Sequence, residues 1–561
     1  MTASLVMWPA AVMIIGGLLL PLLRERLRQF ALLLVPLLTL FLVWQVPDGP
    51  VLEARFLGFT LALVKGDALS RLFATVFAIM AFAGALFALN QNRVVELAAA
   101  FCYAGSAIGV TFAGDLVTVF IFWEMMAIAS TLVVWSTGAS ARGPGLRYAA
   151  IHILGGVLLM AGIIGEIATV GSVGLGKLTL DSVPRWLMLI GFLINAGAPP
   201  LSAWLPDAYP ESSWSGMVVL SAFTTKTAVY VLLRTFPGTE LLIYVGLFMV
   251  FYGIIYAILE NDMRRILAYS IVNQVGFMVT GIGIGTEMAL NGAAAHAFAH
   301  IIYKALLLMS AGSVLYMTGK RKCTDLGGLF RTMPVTAVCG IVGALAISSF
   351  PMTSGFVTKS MISEAAGMQH LSVVWYLLAA ASAGVFLHAG IKFPWFVFFQ
   401  KDSGLRPPDP PWNMQAAMVL FAALCILIGI WPEPLYALLP YPVDYVPYTA
   451  GHVVFYLQLL LFSGLAFFLM LGWLKRTLTI TLDVDWFYRR LGPAIAPRLD
   501  RTADAAWARL KNAVDLGTRS VSSVIYSHHG PGGAFARTWS TSAMAFWTTV
   551  MLAAYLILSY L

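Results

Sequence analysis

Asp115-Leu116-Val117-Thr118-Val119-Phe120-Ile121-Phe122-Trp123-Glu124-Met125-Met126-Ala127-Ile128-Ala129-Ser130-Thr131-Leu132-Val133-Val134-Trp135-Ser136-Thr137 holds one charge away from its edge, Glu124. A helix needs about 20 mostly apolar residues to cross the hydrocarbon core of a bilayer, so the stretch reads as a membrane span. An ionisable group at its middle costs roughly 2.5–3.5 kcal/mol on insertion scales, and such groups normally face the interior of a bundle.

The rest of the 561-residue chain agrees: 60% of it is hydrophobic and only 11% charged. Soluble globular chains carry about a quarter of their residues charged, so a water-soluble enzyme is excluded. The excess of 34 Lys+Arg over 26 Asp+Glu sets topology in a membrane chain and does not point to nucleic acid. Cys102, Cys323, Cys339 and Cys425 are scattered without a CxxC, which gives no disulfide framework, zinc site or iron–sulfur motif. No nucleotide loop or phosphate loop is present. No cofactor or metal is expected, and no redox or hydrolytic site. The first apolar stretch is of full span length, and no signal peptide is expected.

Working outward, sixteen candidate spans emerge: 4–23, 29–47, 70–90, 95–113, 115–137, 147–170, 186–209, 214–235, 241–260, 265–285, 287–317, 333–363, 372–399, 413–432, 452–474 and 543–561. Two contain breaks, at Gly197-Ala198-Pro199-Pro200 and from Phe350-Pro351 to Gly355. Proline and glycine at membrane depth are tolerated where the bundle or a wet cavity satisfies the freed backbone. The expected fold is an all-α polytopic bundle. Within 475–542, Ala503, Trp507, Leu510, Val514, Val521 and Ile525 recur at helical spacing. That segment reads as an amphipathic helix on the inner membrane surface or on a partner, or as a solvated linker.

With the N-terminus outside, 24 of the 34 basic residues fall on inner segments and six on outer ones: Arg55, Lys65, Arg71, Lys177, Arg185 and Arg234. The positive-inside rule favours this orientation. The remaining four, Lys226, Lys304, Lys359 and Lys392, lie within spans. Removal from water favours the neutral form of lysine and glutamate alike, so Glu124 and several lysines sharing one wet interior can exchange protons near neutral pH. His296, His300 and Lys304 recur at i, i+4, i+8 and form one polar stripe about 80° wide. Imidazoles suit proton relay. The same spacing also fits a metal pair, although no third ligand lies at a suggestive spacing, or a structural hydrogen-bonded stripe. His388 and Lys392, near a span end, fit snorkelling or relay. Glu166 and His152 fit buried links between helices. Topology alone accounts for Arg264 and Arg265, and a helix-end or turn role for Asp207.

These residues resemble the antiporter-like subunits of respiratory complex I and of Mrp-type cation/proton antiporters, over about residues 70–430. Phe120-Ile121-Phe122-Trp123-Glu124-Met125-Met126 is similar to the fifth-helix glutamate motif. Pro200-Leu201-Ser202-Ala203-Trp204-Leu205-Pro206-Asp207-Ala208 resembles the loop after the broken seventh helix. Thr225-Lys226-Thr227-Ala228-Val229-Tyr230 resembles the eighth-helix lysine motif, and Arg264-Arg265-Ile266-Leu267-Ala268-Tyr269-Ser270 the start of the tenth. His296, His300 and Lys304 resemble the eleventh-helix relay, and Gly355-Phe356-Val357-Thr358-Lys359 the broken twelfth helix.

The resemblance implies two inverted five-helix repeats, each with one broken helix, a transporter signature in its own right. The expected organisation is 1–94 (three N-terminal helices), 95–235 and 241–399 (the repeats, each a proton half-channel), 413–474 (C-terminal helices), 475–542 (inner-face segment) and 543–561 (last helix). One position departs from the pattern. The seventh-helix break, where the family usually carries lysine, has Asn195, and an amide neither holds nor releases a proton in this range. A water could bridge the gap, Lys226 could pair with Glu124, or active pumping could be lost.

The resemblance thus implies a proton-conducting component of a bacterial inner-membrane antiporter assembly, Mrp D-like with a C-terminal extension. Its partners would be other membrane subunits, and its cargo protons and monovalent cations such as Na⁺. Glu124, Lys226, His296, His300, Lys304 and Lys359 would carry protons, with His388, Lys392 and Asn195 as further candidates. The alternatives are a pumping component of an NADH–quinone oxidoreductase or membrane hydrogenase, and a non-pumping scaffold for a soluble partner.

Overall fold

A computed structural model describes residues 8–473, 483–533, 535–536 and 538–561. They fall into two units, divided after Asp485. Parts of three sequence expectations lie outside the described residues: 4–7 of the first stretch, 474 of the fifteenth, and 475–482, 534 and 537 of the inner-face segment.

The first unit opens with α1 (Pro9–Leu19) and α2 (Glu25–Val43), then strands β1 (Gly49–Phe56) and β2 (Phe59–Gly66). There follow α3 (Ala68–Phe87), α4 (Val94–Phe112), α5 (Leu116–Trp135), α6 (Ala139–Val170) and α7 (Val183–Ala196). Next come α8 (Gly216–Thr235, kinked at residues 221–223), α9 (Leu241–Leu259), α10 (Met263–Ile284) and α11 (Glu287–Thr318). The unit continues with α12 (Pro334–Ile347), α13 (Ser354–Met368), α14 (Ser372–Phe399), α15 (Trp412–Ile430) and α16 (Ala450–Leu469). The second unit holds α17 (Gly492–His529), which covers the helical pattern at 503–525, and α18 (Thr541–Tyr560).

Among the described residues, thirteen helices are long and apolar enough to cross a membrane, and three shorter apolar helices accompany them at Pro9–Leu22, Val183–Ala196 and Pro334–Ile347. Every one of the sixteen sequence stretches therefore contains an apolar helix. The chain is a polytopic helical membrane protein.

The hairpin β1–β2 departs from the purely helical expectation. Its strands pair antiparallel around Leu57 (φ +48°) and Gly58 (φ +86°). Two successive positive φ values make a two-residue turn whose twist suits antiparallel strands. The hairpin lies between two spans, so a search for apolar runs of span length passes over it.

Helix starts follow ordinary capping chemistry. Asp67 accepts from the Ser70 N–H at 2.8 Å while Ser70 Oγ accepts from the Asp67 N–H at 2.8 Å, a reciprocal box that occupies two free donors of α3. Asp115 caps α5 through the Thr118 N–H at 2.7 Å. Asp262 and Thr286 cap α10 and α11.

The two sequence breaks are real ends. Helix α7 stops at Gly197, in the left-handed region at φ +80°, just before Pro199 and Pro200. Helix α12 stops before a turn through Ser349 (φ +58°), Pro351 and Met352 (φ +67°). A β-carbon on Gly355 would stand 1.9 Å from the Ala346 carbonyl oxygen, so glycine lets α13 start against the end of α12. The freed carbonyls find donors: Ile194 O accepts from the Trp204 indole at 3.1 Å, and Ile347 O from Lys359 Nζ at 3.4 Å.

Helices α8, α10 and α11 are the most enclosed, and the whole apolar window of α10 is buried. Helices α2, α16 and α18 expose most of their apolar surface, as lipid-facing or partner-facing helices do.

Candidate functional site

The proton-path residues expected from the sequence fall mainly into two clusters in the first unit. The first lies among α5, α6 and α7. Glu124 is half-buried, and its Oε1 has no hydrogen-bond partner among the described residues. It packs onto α6 where a β-carbon on Gly156 would come within 2.1 Å of it. Asn195, one residue before the end of α7, is buried, and its Oδ1 also lacks a partner. Among the described residues no ion pair joins Glu124 to Lys226. Of the outcomes open for Asn195, direct pairing is therefore absent from this structure.

The second cluster lies among α8, α10, α11 and α13. Lys226, His296, His300, Lys304 and Lys359 are fully buried, and His300 stands within electrostatic reach of the other four. Each lysine donates to backbone oxygen at a helix irregularity or to a neighbouring hydroxyl. Lys226 Nζ donates to Ser221 O at 2.7 Å, at the kink of α8, and to Thr225 Oγ1 at 3.0 Å. Lys304 Nζ donates to Ser270 Oγ at 2.7 Å and Leu267 O at 3.3 Å. Lys359 Nζ, besides Ile347 O, lies 4.6 Å from the Phe277 ring centroid. Carbonyls carry partial negative charge at helix ends, and the aromatic face attracts cations. These contacts suit ammonium groups in a low-dielectric interior without fixing them by a carboxylate.

A hydrogen-bonded file runs from this cluster toward α14. His388 Nδ1 donates to Gly384 O at 2.9 Å, because a carbonyl only accepts. In a neutral ring Nε2 then accepts from Asn273 Nδ2 at 3.1 Å. Asn273 Oδ1 accepts from Gln274 Nε2 at 2.7 Å, and Gln274 Oε1 from His296 Nε2 at 3.0 Å and the Tyr303 hydroxyl at 3.1 Å. The polarity of the whole file is set from its Gly384 end. At the other end His296 Nδ1 lies 3.3 Å from Thr358 Oγ1, whose hydroxyl donates to Ser354 O at 2.9 Å. With that hydroxyl so oriented, Thr358 accepts from Nδ1 only when His296 is an imidazolium. A neutral His296 requires the hydroxyl to rotate. Both His296 nitrogens are engaged, which leaves none for a metal shared with His300.

Asn273, Gln274, Tyr303 and Thr358 carry no charge that would single them out in sequence. The one usable signal is an adjacent Asn-Gln pair in the middle of a span. Lys392, buried, donates to Ala257 O at 3.2 Å and to the Ile258 and Glu260 carbonyls. It closes the C-terminal end of α9 and does not snorkel. His388 and Lys392 sit on a π-helical stretch, Phe386–Lys392, a wound-out geometry frequent at functional sites.

Other sequence readings change or sharpen. Arg264 is buried, and its guanidinium donates to Pro210 O, Ser212 O and Ser213 O at 2.7–2.8 Å. It holds the loop after the α7 break, a role beyond topology. Asp207 pairs bidentately with Arg147 at 2.6 and 2.9 Å. Glu166 pairs with Arg185 at 2.8 Å, joining α6 to the start of α7.

Residues 113–387 match the family model described as NADH:quinone oxidoreductase/Mrp antiporter, transmembrane. The probable A/B subunit of a K⁺/H⁺ antiporter from Rhizobium meliloti (strain 1021) is 30% identical over 432 residues, which is 69% of this chain and 42% of that relative. The chain thus spans less than half of that protein. The D subunit of an Na⁺/H⁺ antiporter from Alkalihalophilus pseudofirmus is 28% identical over 428 residues, 70% of this chain and 83% of the relative. A chain in the structure of the membrane-bound sulfane sulfur reductase, an archaeal respiratory membrane complex, superimposes with a TM-score of 0.70 at 24% identity, covering 99% of both chains. At that identity the likeness carries the fold alone. The sequence matches place the chain in the antiporter-like subunit family of NADH:quinone oxidoreductases and Mrp-type cation/proton antiporters.

Proposed function

We propose that the chain is the proton-translocating, Mrp D-like component of a multi-subunit cation/proton antiporter in a bacterial inner membrane. The observation that carries this reading is the enclosure of five ionisable groups, Lys226, His296, His300, Lys304 and Lys359, in one interior with no carboxylate ion pair to fix them among the described residues. Like charges at close range disfavour simultaneous protonation, so a proton arriving at one site pushes another onward. In this reading spans 4–8 and 9–13 form the two inverted repeats, α7 and the α12–α13 pair being the broken helices. Protons enter the first half-channel near Glu124 and Lys226, cross by His296, His300 and Lys304, and leave near Lys359. The His296–Gln274–Asn273–His388 file offers a side branch. The flow is coupled to export of Na⁺ or another monovalent cation by partner membrane subunits.

Cation-induced proton movement in everted membrane vesicles containing the whole assembly tests the proposal. Glu124→Gln and Lys359→Ala are each expected to abolish it at normal assembly. Unchanged movement in both would leave a scaffold.

A second reading rests on the end-to-end match to a chain of an archaeal respiratory membrane complex. There the same path would run outward as a pump driven by redox modules on other chains. Proton movement driven by substrate oxidation, and insensitive to added Na⁺ or K⁺, would favour it.

A further inference from the structure

The first half-channel lacks its usual middle amine, and the structure places an imidazole beside the vacated position. His152 lies on α6, one helical turn before Gly156. It is fully buried, neither ring nitrogen makes a hydrogen bond of ordinary geometry among the described residues, and the Asn195 side chain is the polar group that interacts with the ring. A buried polar group normally finds a partner, and here three on adjoining helices make no bond of ordinary geometry: the His152 ring on α6, Asn195 Oδ1 on α7 and Glu124 Oε1 on α5. Asn195 lies beside the His152 ring. Adjacent glycines on α6 open the ground between them. A β-carbon on Gly155 would stand 3.6 Å from Asn195 Oδ1, and one on Gly156 2.1 Å from Glu124 Oε1.

On its other side His152 is packed by Tyr148, with ring centroids 4.1 Å apart, and Trp204 at 4.7 Å. Beyond Tyr148 lies a set of hydroxyls that ends at Thr224, on the same helix as Lys226. Tyr148 donates to Ser130 Oγ at 2.8 Å, and the Tyr209 hydroxyl lies by those of Tyr103 and Tyr148. The Tyr103 hydroxyl lies 2.6 Å from Thr224 Oγ1, two residues before Lys226.

We propose that His152 is the relay residue of the first half-channel, carrying the proton between Glu124 and Lys226 in place of the amine that Asn195 cannot supply. The ring accepts a proton on one nitrogen from the Glu124 side and releases one from the other toward the tyrosine hydroxyls, with no net change in the ring. Asn195 orients the ring and does not itself titrate. This rests on the transport reading above and names a residue that reading does not need.

The experiment measures cation-induced proton flux in everted vesicles of the assembled complex. The variants are His152→Gln, His152→Phe, the double variant His152→Gln/Asn195→Lys, and Glu124→Gln as reference. His152→Phe keeps a ring between Tyr148 and Trp204 without a proton carrier. Both single His152 variants are expected to lose at least tenfold in flux, approaching Glu124→Gln, while assembling normally. The double variant is expected to regain a large part of the flux, because a lysine returns an amine to the gap. Flux above half of wild type in His152→Gln or His152→Phe, with Glu124→Gln inactive, overturns the His152 assignment and leaves the transport reading intact. So does a loss that Asn195→Lys fails to restore, which marks a packing role. Full flux in Glu124→Gln overturns the transport reading itself.

Discussion

Glu124 Oε1 of α5 lies over Gly156 of α6, where a β-carbon would approach it to 2.1 Å. No flexible side chain separates the two, so the carboxyl group owes its position to the missing methyl. Gly156→Ala is therefore expected to displace the Glu124 carboxyl while leaving α6 helical, since alanine is the better helix former. Cation-induced proton flux should fall about tenfold or more, which corresponds to about 1.4 kcal/mol on the barrier. Wild-type flux in an assembled Gly156→Ala complex would contradict this account of the site.

The Gln274 bridge gives a second prediction. Its amide accepts from His296 and donates to Asn273, which donates to His388. Gln274→Leu removes these bonds and the one from the Tyr303 hydroxyl at similar volume and leaves buried partners unpaired, at about 1–3 kcal/mol for each group. Thermal unfolding in detergent should come earlier, and flux should fall. Gln274→Glu retains an acceptor toward His296 and is expected to keep more flux than Gln274→Leu. Equal flux in the two variants would show that the file does not position His296.

How much of this is legible in the sequence depends on the residue. The span map follows from composition alone, because bilayer thickness sets helix length and helix length sets the apolar run. Pro199, Pro200, Pro351 and Gly355 announce the breaks through backbone chemistry. The lysines stand out because a charge in a span is costly. Asn273, Gln274 and Thr358 do not, since neutral polar residues cost less and most of them bind only their own helix. His152 reads as a structural link, because a lone histidine in a span carries no sign of what faces it. Gly155 and Gly156, which reveal its surroundings, look in sequence like ordinary membrane-helix glycines. Lys392 looks able to snorkel because sequence cannot show that the end of α9 supplies three carbonyls to it.

A third prediction concerns Thr358. Its hydroxyl donates to Ser354 O and presents oxygen to His296 Nδ1. Thr358→Val keeps the shape and removes that acceptor. It is expected to slow flux several-fold with little loss of thermal stability, whereas Thr358→Ser should stay near wild type. A Val variant as fast as wild type would show that the rotor has no part in transfer.

A fourth prediction concerns the start of α3. Burial opposes ionisation of Asp67, but Arg234, with Nη1 2.5 Å from its Oδ2, outweighs it and holds the carboxyl below its ordinary value. A depressed folded-state value means the pair contributes stability above the ordinary carboxylate range, which is lost as pH falls through the folded value. The side chains are about a quarter to a third exposed, so solvent screening limits the contribution to about 1 kcal/mol. Asp67→Asn should lower the unfolding temperature at pH 7 and narrow its difference from wild type toward pH 3. A difference independent of pH would remove the ionic contribution and leave only the cap.

The most direct test of the central claim, that buried titratable groups pass protons through this chain, is cation-induced proton flux in vesicles of the assembled complex carrying Lys304→Ala. Lys304 lies between the two half-channels in the proposed path. Its ammonium binds Ser270 Oγ and Leu267 O and no carboxylate among the described residues. The account predicts flux at background level with the complex assembled to wild-type amounts. Flux at wild-type level in that complex would contradict it.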